Sequence, residues 1–512
     1  MDKLPECNIH KILSYLSFEA AAQTSILSKK WLQAWFTNPN LKVKVGYGKG
    51  NNNRKIVDKI MERYRERKIP IEKFELSVST SAYHHPLAFP WIDKCLDIAL
   101  QNGVKYLVCA VSVPSYPFPI STFLVSESLR ELVLTGCDLM NLSLSTSQVA
   151  NCQSLRKISL TDVRLDNNVL QTLLNYCPLI VDVIIMYCRL LTNIELRNLQ
   201  NIKSVSILSS GSHNKSVKIQ APTLEHLSYS GSWKEFIVLD IVECQNLKSL
   251  KLSHMTISEG FLEHLISTSQ FLESLLIDNV CGELERFNIC GSQSLKVLGI
   301  QFCKDIGEID ASNLVSLEYM GSTIPELKIA KESGQLKNLR TNLSCYGHND
   351  LNAAWFCKLR KFLSNLTSWS HLSLYFDKCN EINMKDLQVH YSVATSQVDV
   401  LTVWLKSSPV ECPSFVDALI WSCHPRRLNF FSSTIEVITC FMDRLTYMKN
   451  SSHSTSHGRK PWHTQLYEVR AYKFGSAVEL RSGELATLTE REDAGGAMAS
   501  IRWITTMEIK PQ

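Results

Sequence analysis

The sequence from residue 71 onward repeats one pattern of apolar positions, in which Leu, Ile or Val occupy the first and fourth places of a short segment and an apolar residue usually fills the sixth. Successive segments start 22 to 26 residues apart, at Val104, Leu129, Leu155, Ile180, Ile202, Leu224, Leu247, Leu272 and Leu295. The alternation around the fourth and sixth places predicts a short strand with one buried face. No single unit can cover its own apolar face, so neighbouring units are expected to stack.

A period of this length with L-x-x-L-x-L at its centre is typical of leucine-rich repeats. It predicts the fold class, an α/β protein whose repeats form a curved parallel sheet with outer helices and turns. Helices between strands are predicted over residues 90–100, 168–176 and 259–266. The pattern becomes irregular after about Leu317, although the segments at Trp369 and Val398 predict further strands, so the sequence leaves the number of later repeats open.

The outward positions of these strands should line the concave face, the surface on which repeat proteins bind partners. The face is mixed in character and carries no stripe of lysine and arginine, which favours a protein partner over a phosphate backbone. The candidate target-binding residues are Glu131, Val133, Lys157, Ser159, Asp182, Ile184, Ser228, Lys251, Asp278 and Gln301.

A helical spacing of apolar residues occupies the first forty positions instead. Ile9, Ile12, Leu13 and Leu16 lie at i, i+3, i+4 and i+7, which predicts a short helix with one apolar stripe. Two more short helices are predicted after it. Because so small a unit lacks a sufficient core, its apolar groups are expected to pack against something else.

A spaced set of residues lies within positions 2–41, namely Leu4-Pro5, Ile12-Leu13, Leu16, Leu27-Ser28-Lys29 and Trp31. This set resembles the plant form of the F-box. Ser17-Phe18-Glu19 stands where that family often has Pro-Thr-Lys. The F-box is the adaptor-binding module of SCF-type ubiquitin ligases. The resemblance implies a Skp-family adaptor as partner, and through it a cullin, a RING subunit and a ubiquitin-charged enzyme. By position, the adaptor-binding residues would be Leu4, Pro5, Ile9, Ile12, Leu13, Leu16, Ile26, Leu27 and Trp31.

The remaining segments complete a five-part organisation. Residues 46–53 predict a linker, and residues 54–68 predict a basic helix whose excess of lysine and arginine is typical of a solvated face. Its inward positions would be Ile56, Val57, Ile60, Met61 and Tyr64. Residues 415–425 and 462–469 resemble the FBD region of plant F-box proteins, with a helix predicted over 435–448 between them. The expected domains are an F-box over 1–45, a linker and basic helix over 46–70, a repeat solenoid over 71–408, an FBD-like region over 409–480 and a tail over 481–512, whose order the composition leaves open.

Composition narrows the function classes. Hydrophobic content of 45%, charge of 20% and a net charge of +5 are ordinary for a globular protein, and they do not imply nucleic acid. No stretch is long and apolar enough to predict a membrane span, and the first residues do not resemble a secretory signal. The 17 cysteines include no C-x-x-C pair, and no metal or cofactor is expected. We therefore expect a protein of the cytoplasm and/or the nucleus.

The function that these features favour is substrate recognition for an SCF-type ligase, with the repeats holding a target protein. One alternative is a leucine-rich-repeat scaffold that binds a partner without assembling a ligase. A second is a thiol enzyme that would use Cys423 and His424 beside Asp417, or the His84-His85 pair near Cys95. Adjacent residues usually point apart on extended backbone, and no other catalytic motif is present, so intrinsic catalysis is not expected.

Overall fold

The structure, a computed structural model, describes most of the chain up to residue 473. The described residues are 4–16, 18–47, 53–80, 85–112, 116–141, 152–188, 190–209, 216–231, 237–258, 260–282, 287–303, 306–310, 313–327, 338–345, 351–365, 368–388, 397–405, 413–433, 435–451, 466 and 468–473. They fall into two compact units, Met1–Ser258 and Glu259–Gln512. The tail over 481–512 lies outside the described residues.

The first unit begins with three short helices and continues as alternating strands, turns and helices. Its helices are α1 (Glu6–Ser14), α2 (Phe18–Thr24), α3 (Lys29–Phe36), α4 (Asn53–Arg67), α5 (His85–Gln101), α6 (Ile120–Leu124) and α7 (Asn167–Asn175). Its strands are β1 (Asn40–Tyr47), β2 (Lys73–Thr80), β3 (Tyr106–Val111), β4 (Tyr116–Pro117), β5 (Glu131–Thr135), β6 (Cys137–Asp138), β7 (Lys157–Thr161), β8 (Asp182–Met186), β9 (Asn193–Leu196), β10 (Ser204–Leu208), β11 (Ser216–Ile219), β12 (His226–Ser230), β13 (Val238–Asp240) and β14 (Ser249–Ile257).

The main sheet of this unit is parallel, in the order β1-β2-β3-β5-β7-β8-β10-β12-β14. A second parallel sheet, β9-β11-β13, and the pair β4-β6 are formed by the return segments. In-register pairing aligns the repeated apolar positions, so that Leu132 lies beside Ile158, and Ile158 beside Val183, in one buried row. The leucine-rich-repeat fold class predicted from the period is confirmed.

The chain leaves the sheet in the same way after several strands. Gly136, Asp162 and Tyr187 directly follow the ends of β5, β7 and β8 with positive φ angles of 50 to 66°. The backbone amide of each of these residues donates to a carbonyl oxygen of the neighbouring strand, as in the bond from Asp162 N to Met186 O at 2.8 Å. The repeated left-handed turn therefore links each of these three strands to its neighbour at the same height.

Six cysteines recur at two positions of the repeat, just before or just after a strand, where the sequence predicts small apolar side chains. All six are buried: Cys137, Cys152, Cys177, Cys188, Cys244 and Cys303. Core packing therefore accounts for them.

The second unit repeats the arrangement with longer strands. Its helices are α8 (Phe261–Thr268), α9 (Ala353–Ser364), α10 (Met384–Gln388), α11 (Pro413–Cys423) and α12 (Ile435–Ser451). Its strands are β15 (Ser274–Gly282), β16 (Phe287–Cys290), β17 (Val297–Gln301), β18 (Ile306–Asp310), β19 (Ser316–Gly321), β20 (Glu326–Leu327), β21 (Asn338–Cys345), β22 (Ser368–Phe376), β23 (Gln397–Leu405), β24 (Pro425–Ser432) and β25 (Glu468–Lys473).

The main sheet of the second unit is also parallel, in the order β15-β17-β19-β21-β22-β23-β24-β25, and β16-β18-β20 form a smaller sheet. The strands predicted at Trp369 and Val398 are present, and so is the helix predicted over 435–448. A buried aromatic cluster of Phe356, Phe376 and Phe415 packs α9 and α11 against the sheet, with ring centroids 5.1 to 5.9 Å apart.

Three sequence expectations need correction, and a fourth falls mostly outside the described residues. The parallel sheet begins at β1, before the basic helix, so Gly46 belongs to a strand that pairs with β2 and not to a linker. The helix predicted from Pro90 begins at His85 and contains Pro90 in its interior. Ile56, predicted to face inward, is exposed on α4. Of the closing strand predicted over 462–469, residues 462–465 and 467 lie outside the described residues, and the described strand runs over Glu468–Lys473.

Candidate protein-binding surfaces

Helices α1, α2 and α3, here called the N-terminal module, form a small core of their own. Its buried members are Ile9, Leu13, Ala21, Trp31 and Ala34, with Leu4, Leu16 and Trp35 packed against them. A polar contact closes the module, because Thr37 Oγ1 donates to Glu6 Oε1 at 2.9 Å. The sequence predicts that so small a unit cannot bury all of its apolar groups, and this core covers only part of them.

Several large apolar side chains of the module stay outside this core. Ile26 is 85% exposed, Leu27 52% and Ile12 39%. Pro5 is exposed as well, and two exposed residues that the sequence reasoning did not single out, Tyr15 and Leu32, join them. The signal for Tyr15 was available, since it lies three residues after Ile12 on the apolar helix.

The nine adaptor-binding candidates thus divide into three groups. Ile9, Leu13 and Trp31 are buried in the module, and Leu4 and Leu16 are half-buried against its core. Pro5, Ile12, Ile26 and Leu27 are accessible. The last group is the most accessible to a partner, and Leu4 and Leu16 are accessible in part.

The module is fastened to the first strand of the sheet and to α4. Tyr64 Oη donates to the carbonyl of Asn38 at 2.8 Å in a buried contact, and burial raises the pKa of this phenol. A cavity of about 320 Å³ separates part of the module from β1 and β2, and its lining includes Leu16, Trp35 and Leu41.

An ion cluster lies at the rim of this cavity. Glu75 Oε2 is 3.1 Å from Lys42 Nζ, and its Oε1 is 2.6 Å from Lys73 Nζ. Burial acts to raise the pKa of Glu75, but the hydrogen bonds from Lys73 and Lys42 outweigh it and hold the pKa below its usual value. The charges at the start of the sheet are therefore satisfied within the chain.

The target-binding candidates of the first unit lie in two rows on the open face of its main sheet, the face opposite the buried positions. In one row Lys157 lies between Glu131 and Asp182, with ion-pair distances of 3.8 and 3.3 Å. The second row aligns Val133, Ser159, Ile184, Ser206, Ser228 and Lys251. Ser159 is buried, and the other candidates are half-buried or exposed.

In the second unit, Asp278 and Gln301 are register partners on β15 and β17, both half-buried. The sequence reasoning missed a set on the later strands. Tyr375, Trp404, Phe431 and Tyr472 form a continuous row of stacked rings on β22 to β25, which we call the aromatic ladder. The available signal was an aromatic residue directly after the last apolar position of successive strands.

The thiol-enzyme arrangement is not assembled. Cys423 is fully buried, and burial raises the pKa of its thiol well above the ordinary value, which disfavours the nucleophilic thiolate. Asp417 binds the guanidinium of Arg444 through both oxygens, with Nε to Oδ1 at 2.8 Å, and is therefore committed to an ion pair. The side chains named for this site are held by packing and pairing with other groups.

The second thiol candidate is similar. Cys95 is buried on α5, and burial raises the pKa of its thiol to about 12. His84 lies outside the described residues. Within the described part of the chain, no group of three or more His, Cys, Asp or Glu side chains is arranged to hold a metal ion. No helix among those residues is long and apolar enough to cross a membrane.

Comparison with known proteins adds two family matches. The F-box domain family matches residues 1–42, and the family described as the LRR domain of At1g61320/AtMIF1 matches residues 60–246 and 236–370. The second match alone spans more than half of the chain.

Individual relatives come from Arabidopsis thaliana. An F-box/FBD/LRR-repeat protein, At5g44950, is 28% identical over 49% of this chain and 56% of its own length, so the alignment spans little more than half of that relative. F-box/LRR-repeat protein At3g03360 is 22% identical over 66% of this chain and 69% of its own length. F-box protein At5g03100 is 23% identical over 64% of this chain and 94% of its own length. Among solved structures, a TLR13–ssRNA13 complex aligns with 78% of this chain and 65% of that chain at 14% identity and a TM-score of 0.37, a similarity too weak to support any conclusion.

Proposed function

Because the chain belongs to the F-box/LRR-repeat proteins, we propose that it is the substrate-recognition subunit of an SCF-type ubiquitin ligase. The N-terminal module would bind a Skp-family adaptor, and through it a cullin and a RING subunit. The repeats would hold a target protein. In this assignment the chain performs no bond chemistry, and it contributes proximity between a target lysine and the ubiquitin-charged enzyme.

One observation carries the adaptor assignment. The module has a formed core and still exposes Ile12, Ile26 and Leu27 to solvent. Burying one Leu or Ile side chain contributes about 1.5–3 kcal/mol, so capping all three would supply a large share of the binding free energy of a tight complex. The buried candidates Ile9 and Leu13 would act indirectly, by holding the helices that present this surface.

The test is a co-purification with a Skp-family adaptor. We expect the double variant Ile26→Asp, Leu27→Asp to lose adaptor binding while the chain stays folded, because both side chains are exposed. The control is Val242→Asp, which places one aspartate at an apolar position of the repeats that is 71% exposed. The control should bind the adaptor as the unaltered chain does, and adaptor binding by the double variant would contradict the proposal.

The same experiment distinguishes the proposed ligase subunit from the scaffold alternative. A leucine-rich-repeat scaffold that does not assemble a ligase predicts that no adaptor co-purifies with the unaltered chain.

Localisation in the cytoplasm and/or the nucleus belongs to the proposal as well. It is supported by the free thiols of every cysteine that the structure describes, which is typical of reducing compartments.

A further inference from the structure

Two buried thiols lie side by side in the first unit, on successive repeats. Cys152 and Cys177 are 25 residues apart, and so are the register partners Lys157 and Asp182 on the strands that follow them. The backbone amide of Cys152 donates to the carbonyl of Tyr176 at 2.8 Å, directly before Cys177. We propose that Cys152 and Cys177 form a dithiol that a hydroperoxide oxidises to a disulfide between the two repeats.

The stacking of the repeats sets the distance between the two thiols. Neighbouring strands lie about 4.8 Å apart, and a disulfide joins Cα atoms about 4.4–6.8 Å apart. The bond from Cys152 N to Tyr176 O shows that the stacking continues in the turns before the strands. The thiol of Cys177 donates a hydrogen bond to the sulfur of Cys152, so the two sulfurs are already in contact. Joining them therefore needs little movement of the backbone.

The surroundings make Cys152 the more acidic of the two thiols. The hydrogen bond from Cys177 is the largest influence on its pKa, and the backbone amides of Leu155 and Ser154 donate to the same sulfur. Burial acts in the opposite direction and is outweighed, so the pKa of Cys152 lies below the usual value of a cysteine. The same contact raises the pKa of Cys177, and burial adds to that shift. Cys152 is therefore the nucleophile, and Cys177 keeps its proton until the second step.

Cys244 shows what burial does to a thiol at the same repeat position when the preceding repeat offers a methyl group instead. The residue at that position in the preceding repeat is Ala221. Burial raises the pKa of Cys244 to about 11, and its Sγ donates to the carbonyl of Ile219 at 3.5 Å. Packing alone therefore explains a buried cysteine of this kind, but it does not explain the acidity of Cys152.

The oxidation has two steps. In the first, the Cys152 thiolate attacks an oxygen of the hydroperoxide, a sulfur–oxygen bond forms, the oxygen–oxygen bond breaks, and the leaving oxygen takes up a proton. In the second, the Cys177 sulfur attacks the sulfenic sulfur of Cys152, the sulfur–sulfur bond forms, and the hydroxyl group leaves as water with the Cys177 proton. Together the two thiols lose two electrons and two protons. The hydroperoxide is reduced to an alcohol and water, or to two waters when it is hydrogen peroxide.

The dithiol lies one residue below the surface. Cys152 is 2% exposed and Cys177 is fully buried, but the residues that follow them, Gln153 and Pro178, are exposed. Hydrogen peroxide is close to water in size, so a brief opening of this turn admits it. The disulfide would tie together the repeats of β7 and β8, which carry target-binding candidates. In a reducing compartment such a bond is transient, which is the usual behaviour of a redox-sensing pair.

The experiment uses the full chain, hydrogen peroxide and mass spectrometry. The dose is set so that the exposed Cys440 is half oxidised, which shows that the oxidant is active. Free thiols are then blocked at low pH, where thiol exchange is slow, and peptic fragments are analysed without reduction. We expect a fragment pair linked through Cys152 and Cys177 that dithiothreitol releases. We also expect Cys152 to be oxidised at least about tenfold faster than Cys244.

Two variants separate the roles of the thiols. In Cys177→Ala the sulfenic acid of Cys152 has no neighbouring thiol to resolve it, so dimedone should label Cys152. In Cys152→Ala, dimedone should leave Cys177 unlabelled, because burial still disfavours its thiolate. The matched control Cys244→Ala should form the link as the unaltered chain does. The linked fragment of the unaltered chain decides the question even where a variant fails to fold.

Absence of the linked fragment from the unaltered chain at this dose would overturn the inference. So would oxidation of Cys152 no faster than that of Cys244. Labelling of Cys177 in Cys152→Ala as strong as that of Cys152 in Cys177→Ala would contradict the two-step assignment. None of these outcomes depends on adaptor capture, so the ligase assignment is tested separately.

Discussion

The guanidinium of Arg63 lies over the ring of Phe36, with Cζ 3.8 Å from the ring centroid. Phe36 ends the N-terminal module and Arg63 belongs to α4, so this contact joins the module to the start of the repeats. It reinforces the hydrogen bond from Tyr64 to Asn38 next to it. Under the proposed function such a joint would be useful, because a fixed angle between adaptor and target would keep the effective concentration high.

The contact predicts energetic coupling between its two members. A double-mutant cycle with Arg63→Met and Phe36→Leu should give a coupling free energy of about 0.5–2 kcal/mol, the range of cation–π pairs from exposed to desolvated sites. The measurement is the free energy of unfolding of the full chain in urea. Arg67→Met, at an exposed position of the same helix, should show no coupling to Phe36→Leu. Additive effects of the first pair would contradict the assignment.

Gly136 provides a prediction about the repeated turn. A Cβ atom at this position would lie 1.9 Å from the carbonyl oxygen of Val111, and the φ angle is +66°. Gly136→Ala should therefore lower the free energy of unfolding by roughly 2–4 kcal/mol, since both a clash and backbone strain oppose alanine. Gly103→Ala is the matched control, because its φ is +76° with nothing within 4 Å of the added atom. The control should lose only about 1 kcal/mol, and equal losses would exclude the clash as the cause.

Much of the fold could be predicted because the repeat makes each strand look like the next. Strand β1 was missed because its apolar residues, Leu41, Val43 and Val45, alternate without the L-x-x-L-x-L spacing. The sequence shows this period-two alternation, but the glycines and asparagines that follow it are typical of a linker. Helix α5 begins several residues before the predicted start. A proline inside a helix is tolerated when neighbouring packing, such as that of the buried Trp91, stabilises the helix.

The candidate surface was harder to predict, for a physical reason. Ile9 and Ile12 are both apolar and three residues apart, yet one is buried in the module and the other is 39% exposed. Hydrophobic spacing identifies the helix but does not tell an internal core from a docking face, because both need the same side chains. The sequence pattern does not reveal the aromatic ladder, because its members lie 27 to 41 residues apart at unequal intervals and only the sheet register aligns them.

The division of the adaptor candidates makes a prediction about stability. Leu13→Ala should lower the free energy of unfolding of the N-terminal module by about 2–5 kcal/mol, because it leaves a cavity in a closed core. Ile26→Ala should change it by less than about 0.5 kcal/mol, as its side chain is mostly in solvent. Pulsed hydrogen exchange of α1 and α2 at increasing urea concentrations measures both. Similar losses for the two variants would mean that Ile26 belongs to the core.

His424 predicts how the stability of the second unit changes with pH. Burial, assisted by the positive charge of Arg360, lowers the pKa of its imidazole to about 4, and its backbone has a φ of 42°. The unfolded chain, with a histidine pKa near 6.5, takes up a proton that the folded chain refuses between about pH 6.5 and pH 4. Stability contributed by this residue is therefore lost as the pH falls through that window, by up to about 3 kcal/mol at its lower end.

The variant His424→Asn removes the titrating group and keeps a residue that tolerates a positive φ angle. The difference in free energy of unfolding between this variant and the unaltered chain should grow in favour of the variant as the pH is lowered from 6.5 to 4, and should be flat above pH 7. Urea titrations at several pH values, read by pulsed hydrogen exchange of β24, give this difference directly. His226→Asn, at an exposed histidine of the first unit, should keep the slope of the unaltered chain in β24. A pH-independent difference for His424→Asn would mean that this imidazole is protonated as readily in the folded chain as in the unfolded one.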